Sequence, residues 1–243
     1  MTLSPFPDDA LTLADDRGFH HFLGRVYLQI AGGLGLSAAI AAAVAGVPQI
    51  QALFLQHLDG SALGFTALGL VAVFAPLGLM LIASLGGGRN SRAGSSALYW
   101  SVCATLGVSL SILLMGYTDQ SLTSAFLTAA AAFCAMTVWG LTTRRDLVGW
   151  SGFLTLALAG LLVGWLLESF FPNAGGSLLL DSVGVIVFGL LVAVDSQRLR
   201  RIYRMTTAGE DRATAVNLAA LSLYLNVLNL FELLLSLTGR RRR

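Results

Sequence analysis

An aspartate at the end of an apolar run is the residue of this chain whose type and position most clearly suggest chemistry. Asp195 directly follows the apolar run Leu178–Val194. A carboxylate at membrane depth is costly, and such residues mark ion pathways, proton relays and counter-ions. Arg198, one helical turn further on, is a candidate partner, as are Arg89 and Arg92 earlier in the chain. The alternatives at this point are a functional carboxylate and a purely structural ion pair or solvated helix end.

A second group of polar residues lies in the last apolar segment of the chain. Ser222, Asn226, Asn229 and Glu232 follow one another at spacings of four, three and three. Residues three or four apart are neighbours on a helix surface. Lipid cannot satisfy their hydrogen bonds, so we expect this polar stripe to face the interior of a bundle. Hydrogen bonding between helices is the structural alternative to a functional role.

Residue types exclude several kinds of membrane enzyme and receptor. The chain has no lysine, which a retinal Schiff base requires, and its three histidines lie outside the apolar runs. Serine and zinc hydrolases that act within the membrane are therefore disfavoured. Asp181 and Asp195 would be about 21 Å apart along one helix, too far for an aspartyl protease pair. We expect Asp181 to be an interfacial residue and the chain to have no catalytic residues.

Composition indicates the elements that carry these residues. Of the 243 residues, 56% are hydrophobic and 12% charged, with a mean hydropathy of +0.76. Soluble domains have about 25% charged residues. The apolar runs are Leu23–Val47, Ala62–Leu85, Ala97–Met115, Leu122–Leu141, Val148–Phe170, Leu178–Val194 and Val216–Leu237. Each is close to the ~20 residues that cross a bilayer as a helix. The sequence predicts an all-α membrane protein with a bundle of seven transmembrane helices.

The arginines predict the orientation of this bundle. They collect in the second, fourth and sixth loops, whereas the first, third and fifth loops have no basic residue. Because basic residues concentrate in cytoplasmic loops, the N-terminus and the even loops should be cytoplasmic. We divide the chain into a cytoplasmic N-terminal segment (residues 1–21), a transmembrane domain (22–239) and a basic tail (240–243).

The basic tail conflicts with this orientation. Seven spans from a cytoplasmic N-terminus would put Arg240 and the arginines after it outside. Either the last segment spans the membrane against this charge, or it is re-entrant and returns to the cytoplasm. We favour spanning, because Val216–Leu237 is long and mostly apolar.

Two stretches resemble the signature sequences of a known family. The first is Asp195-Ser196-Gln197 followed by Arg198, and the second is Leu223–Phe231. Both are similar to the Bax inhibitor-1 family of membrane proteins. Further similarity to bacterial members lies in Arg25–Tyr27, Ala75–Gly78, Gly107–Ser111, Ala132–Met136 and Thr142–Asp146. The resemblance covers nearly the whole chain from about Arg17.

The resemblance implies a fold and two alternative functions. It implies a seven-helix bundle with the last helix at its centre, located in the inner membrane of a bacterium. Members are linked to a calcium leak across membranes, gated by a pair of acidic residues that respond to pH. Some bacterial members are instead linked to a membrane-bound ATP-dependent protease. The implied partners are lipid and such a protease, not nucleic acid, with no cofactor beyond Ca²⁺ as the transported ion.

One departure from the family pattern lies in the pair of acidic residues. Asp195 matches the first aspartate, but Asn226 stands where the second is common. Two adjacent carboxylates do not both ionise easily, which makes such a pair sensitive to pH; an amide has no titratable proton. We expect blunted pH sensing and a weak, transit-type calcium site at Asp195. Glu232 is a poor substitute, since it lies about 9 Å further along the helix axis.

Overall fold

Long helices make up nearly all of the chain. The computed structural model describes residues 8–57, 63–84, 91–171, 176–207 and 209–242. The helices are α1 (Asp8–Gly46), α2 (Pro48–Phe54), α3 (Ala67–Ser84), α4 (Arg92–Gly116), α5 (Asp119–Thr142), α6 (Ser151–Phe170), α7 (Gly176–Met205) and α8 (Glu210–Thr238). A 3₁₀ turn, Val148–Trp150, precedes α6.

Six of these helices are long and apolar enough to cross a membrane. They are α1, α4, α5, α6, α7 and α8, in the segments Arg17–Gly46, Arg92–Gly116, Asp119–Thr142, Val148–Glu168, Leu178–Met205 and Glu210–Thr238. This confirms the predicted all-α membrane protein. The predicted span Ala62–Leu85 differs at its start, because its helix, α3, begins at Ala67. The described residues therefore contain six full-length candidate spans and the helix α3, which is apolar over Ala67–Leu81.

A short hairpin explains why the helix in this region is shorter than predicted. The strands β1 (Leu55–His57) and β2 (Leu63–Phe65) pair antiparallel, so β2 occupies the beginning of the predicted span. The hydroxyl of Thr66 donates to the backbone oxygen of Leu53 at 2.6 Å and accepts from the backbone nitrogen of Gly69 at 3.1 Å. This hydroxyl fixes the start of α3 against α2.

Helix α8 packs against α1, α4, α5 and α7. In its apolar window 61% of the residues are buried, against 11% for α6, so α8 is the most buried of the six candidate spans. In the main core, Leu223 and Tyr224 of α8 lie with Val26 of α1, Tyr99 of α4 and Val192 of α7. Small residues permit close approach of helix backbones elsewhere in the bundle. Gly140 of α5 lies so close to Ala193 of α7 that an added methyl group would overlap the backbone oxygen of Ala193.

The packed part of the bundle begins before residue 22, where the predicted transmembrane domain starts. Helix α1 is already helical at Asp8, and Phe19 is buried. Its ring makes an edge contact with Tyr203 of α7, with ring centroids 5.6 Å apart, and the guanidinium of Arg200 lies 5.0 Å from its centroid. Residues from Phe19 onward therefore belong to the bundle.

The two ends of the bundle differ in which connections they carry. At one end, the carbonyl oxygen of Arg92 accepts a hydrogen bond from Asn217 at 3.4 Å, which brings the starts of α4 and α8 together. At the other end, the tail after α8 lies against the α4–α5 connection. The backbone nitrogen of Thr118 donates to Arg240 at 3.1 Å, and that of Arg242 donates to Gly116 at 2.8 Å. Helix α8 is thus continuous from one end of the bundle to the other, over Glu210–Thr238.

Candidate functional site

Asp195 lies inside α7, not at its end, because the helix continues for ten more residues to Met205. Its side chain is only 13% exposed. The hydroxyl of Ser222 donates to its Oδ2 at 2.5 Å, and the amide Nδ2 of Asn226 donates to the same oxygen at 2.9 Å. Asp195 and Asn226 are therefore in contact, as predicted. One oxygen of the Asp195 carboxylate accepts both hydrogen bonds that join α7 to α8.

The helical repeat of α8 explains why two of its residues reach one oxygen. Ser222 and Asn226 are four residues apart. Their side chains therefore lie about one turn apart on the side of α8 that faces α7. Asn226 is buried, whereas Ser222 is exposed. The contact therefore has a buried side and an open side.

The second carboxylate oxygen has a cationic partner. A guanidinium nitrogen of Arg198 lies 3.7 Å from Oδ1 of Asp195, and its side chain is 42% exposed. Such a half-exposed pair contributes little stability, about 0–1 kcal/mol. The side chain of Arg92 is exposed, and Arg89, the other candidate partner, lies outside the described residues. Arg198 is therefore the arginine paired with Asp195 in the part of the chain that the structure describes.

Asp181 also joins α7 to α8, near the opposite end of the two helices from Asp195. Its Oδ2 accepts from the hydroxyl of Ser236 at 2.6 Å, and its Oδ1 accepts from the indole nitrogen of Trp165 at 3.2 Å. With only 8% exposure, it is packed among helices near the start of α7. Asp181 bridges α6, α7 and α8. Its separate partners agree with the prediction that the two aspartates do not form a pair.

The remaining members of the polar stripe do not reach Asp195. The amide of Asn229 donates to the carbonyl oxygen of Leu225 in its own helix at 2.8 Å. Glu232 is half-buried, and within the described residues no hydrogen bond or ion pair joins it to another helix. Ser222 and Asn226 therefore contact α7, whereas Asn229 and Glu232 remain beside the site.

Gln197 has a positioning role that the sequence did not suggest. Its Oε1 accepts from the backbone nitrogens of Leu147 at 2.7 Å and Val148 at 3.1 Å. Its Nε2 donates to the carbonyl oxygen of Arg145 at 2.7 Å. Gln197 thus fixes the α5–α6 connection to α7, two residues from Asp195. The only sequence signal was its place in the stretch after Asp195.

Comparison with known proteins identifies the family of this chain. The family model described as "Inhibitor of apoptosis-promoting Bax1" matches residues 19–243, which include both helices of the site. The chain belongs to the Bax inhibitor-1 family. An uncharacterized protein of Caulobacter vibrioides is 36% identical over 97% of this chain and 95% of its own length. An uncharacterized membrane protein of Streptococcus pyogenes is 30% identical over 96% of this chain and 98% of its own length.

In this Bax inhibitor-1 protein, Asn226 places a hydrogen-bond donor beside Asp195, at the position where the resemblance implies a second aspartate. The Nδ2 of Asn226 donates to Asp195, which only an amide, not a carboxylate, can do without binding a proton. Together with the Ser222 hydroxyl, it supplies hydrogen bonds to a side chain that is largely removed from water.

The oxygens at this family site are few for a bound calcium ion. The side chains of Asp195, Ser222 and Asn226 together offer four oxygens, whereas Ca²⁺ takes about six to eight. Among the described residues, no group of three or more His, Cys, Asp or Glu side chains could hold a metal ion. These four oxygens are fewer than tight calcium binding requires.

Proposed function

We propose that the chain crosses the inner membrane of a bacterium seven times, with a cytoplasmic N-terminus and α8 at the centre. Helix α3 would be the seventh crossing, shortened by the hairpin before it. Its packing supports this, since α3 contacts α4, with Ala72 in one cluster with Val108 and Leu79 against the main core. The orientation rests on the arginine-rich second, fourth and sixth loops.

We propose that this bundle is a slow leak channel for calcium or another cation, not an enzyme, with Asp195 at its gate. The observation that carries the proposal is the contact of Asp195 with Ser222 and Asn226, at 2.5 and 2.9 Å. A carboxylate that faces another helix within a membrane domain is costly, and ion pathways are a common reason for it. The family resemblance supports the same function.

The closed state follows from how the carboxylate is satisfied. Its oxygens are occupied by two α8 donors and by Arg198, so no lone charge is presented to a cation. Separation of α7 from α8 would free the carboxylate, which could then replace part of a cation's hydration shell. Ser222 is exposed, so solvent can reach this contact from one side. Closed and open states therefore differ in the partners of Asp195.

We further propose that gating by pH is blunted. In a pair of carboxylates, uptake and release of one shared proton would change the charge between α7 and α8. Here the α8 partner is Asn226, which keeps its hydrogen bond over the whole physiological pH range. The closed contact should therefore be insensitive to pH near neutrality.

Flux into liposomes tests the proposed channel. Purified protein is reconstituted into vesicles that contain a calcium-sensitive dye, and calcium is added outside. We expect the dye signal to rise faster than in protein-free vesicles and in vesicles with a non-conducting helical membrane protein. Equal rates in all three preparations would remove the channel proposal.

Modulation of a membrane-bound ATP-dependent protease is the alternative function. It requires a segment that the partner can bind, for which we propose the cytoplasmic N-terminal segment. Because Phe19 is buried against Tyr203, the test deletion must end before Arg17, so that the bundle stays intact. Loss of protease co-purification after deletion of residues 1–16, together with no calcium flux, would favour this alternative.

A further inference from the structure

A lateral apolar groove lies between α1 and α5, away from Asp195. Its volume is about 410 Å³, within the ~300–1,000 Å³ typical of small-molecule sites. Its walls include Ala38 and Ala42 of α1 and Phe126 and Phe133 of α5, and its floor includes Val227 and Phe231 of α8. Ala38, Ala42 and Phe126 are exposed, so the groove is open toward lipid.

The groove has the length and closure that suit a hydrocarbon chain. Its lining on α5 runs from Leu122 to Cys134, which is about 18 Å along the helix axis and close to the ~15 Å depth of one leaflet. Near Cys134, an edge contact between the rings of Tyr27 and Phe133, with centroids 6.3 Å apart, joins α1 to α5. The groove is therefore narrowed at its deep end.

Arginines of the basic tail stand at the other end of the groove. The backbone nitrogen of Arg240 donates to the hydroxyl of Ser121 at 2.9 Å, directly beside the lining residue Leu122. Arg242 forms an ion pair with Asp119. Arg240 and Arg241 are exposed and have no acidic partner among the described residues. A positive charge thus lies where a lipid headgroup would sit.

We propose that this groove binds one anionic phospholipid of the leaflet on the C-terminal side, with an acyl chain between α1 and α5 and its phosphate at Arg240 and Arg241. Arginine side chains bind phosphate through several parallel hydrogen bonds. The wall residues supply almost entirely apolar surface, with Ser37 and Thr123 as the hydroxyl side chains among them, which favours an acyl chain over a polar ligand. The basic tail conflicts with the orientation that the arginine-rich loops predict. Binding of a lipid phosphate would give the tail a role.

Native mass spectrometry of the purified full-length chain tests this site. Phosphatidylglycerol or phosphatidylcholine is added in detergent, and bound lipid is counted. We expect preferential binding of phosphatidylglycerol, weakened roughly tenfold or more in the double variant Arg240→Gln, Arg241→Gln. The matched control, Arg201→Gln with Arg204→Gln, removes the same charge from exposed positions of α7 and should bind as wild type. Equal loss in both double variants would show adsorption to charge alone and overturn the proposal.

The acyl-chain part of the site has its own test. Ala38→Leu fills the groove, whereas Ala39→Leu adds the same bulk to the neighbouring exposed position of α1 that does not line it. We expect only Ala38→Leu to weaken phosphatidylglycerol binding. Binding unchanged by Ala38→Leu, or a dimer peak that this variant abolishes, would contradict a lipid in the groove.

A reporter in the wild-type protein avoids reliance on a folded variant. Cys134 lines the groove and is exposed, whereas Cys103 is fully buried. We expect phosphatidylglycerol, but not phosphatidylcholine, to slow alkylation of Cys134 by an apolar maleimide. An alkylation rate that neither lipid changes would contradict occupancy of the groove.

Discussion

Asp195 is held by two hydrogen-bond donors from α8 and by one arginine of its own helix. Ser222 and Asn226 both donate to its Oδ2, and Arg198 lies 3.7 Å from its Oδ1. Hydrogen bonds to a charged group contribute about 1.5–3 kcal/mol each, so these contacts set the stability of the closed state. Changes to the donors and changes to the carboxylate should therefore have opposite effects on flux.

Removal of the Ser222 hydroxyl should increase cation flux. The variant Ser222→Ala retains the carboxylate but loses the hydrogen bond of 2.5 Å that helps to close the contact. If that bond contributes even the low end of its range to closure, the open population rises roughly tenfold. Calcium uptake into liposomes measures the change. The matched control is Ser236→Ala, which removes the equivalent bond to Asp181 at the other end of the helix pair. A Ser222→Ala rate at or below wild type would argue against the closed-state contact.

Restoring a second carboxylate should create pH dependence. In Asn226→Asp, two carboxyl groups face each other and share a proton at low pH. Loss of that proton as the pH rises places two negative charges between α7 and α8, so we expect flux to increase from about pH 5 to 8. Uptake by the wild type should change little over the same range. Parallel pH profiles for the two proteins would be inconsistent with our explanation of blunted sensing.

At the scale of the elements, the arrangement depends on close contact between helices. Gly140 allows the backbone of α5 to reach Ala193 of α7, and Gly107 lies close to Ser37 and Ile40 of α1. In lipid, the hydrophobic effect does not drive helices together. Small residues at such crossings permit close dispersion contacts between the helices instead. The position of α7, and thus of Asp195, relies on this packing.

Substitution of Gly140 should loosen the bundle. In Gly140→Ala, the added methyl group meets the backbone oxygen of Ala193, and such overpacking costs about 1–3 kcal/mol. The unfolding temperature in detergent should therefore fall. The control Gly160→Ala adds the same methyl group to α6 where nothing lies within 4 Å, so it should be neutral or slightly stabilising. Equal unfolding temperatures for the two variants would rule out the close contact.

Periodic features of the sequence predicted the elements, whereas tertiary contacts decided the details. Apolar length identified the candidate spans, and four-residue spacing correctly placed Ser222 and Asn226 on one side of α8. The hairpin before α3 could not be predicted, because it depends on the contact of Thr66 with Leu53. The burial of Asp181 depends on Trp165 and Ser236 in other helices. Neither partner is apparent from the position of Asp181 at the start of an apolar run.

At the scale of the whole molecule, the contacts of the two ends constrain the topology. The starts of α4 and α8 meet at one end, and the C-terminal tail meets the α4–α5 connection at the other. The tail therefore lies on the side of the loop that lacks basic residues. In the proposed orientation, with cytoplasmic arginine-rich loops, this side would be extracytoplasmic.

A reporter fused after Arg243 should therefore be active outside the cytoplasm. An alkaline phosphatase fusion should be active, because this enzyme becomes active only after export. A green fluorescent protein fusion should not fluoresce, because this protein does not become fluorescent after export. The control fusion at Arg204, after the crossing by α7, should give the reverse pattern. Fluorescence from the fusion after Arg243 would contradict a spanning α8 in this orientation.

The charge of Asp195 tests the central claim most directly. Asp195→Asn keeps the size and an acceptor for Ser222 and Asn226, but removes the carboxylate charge that a passing cation would contact. We predict that calcium uptake into liposomes falls about tenfold or more, since attraction between unit charges at a partly buried site exceeds 1.4 kcal/mol. Glu210→Gln, an equal charge change at an exposed position, should conduct as wild type. Uptake by Asp195→Asn equal to that of Glu210→Gln would contradict the assignment of Asp195 as the gate.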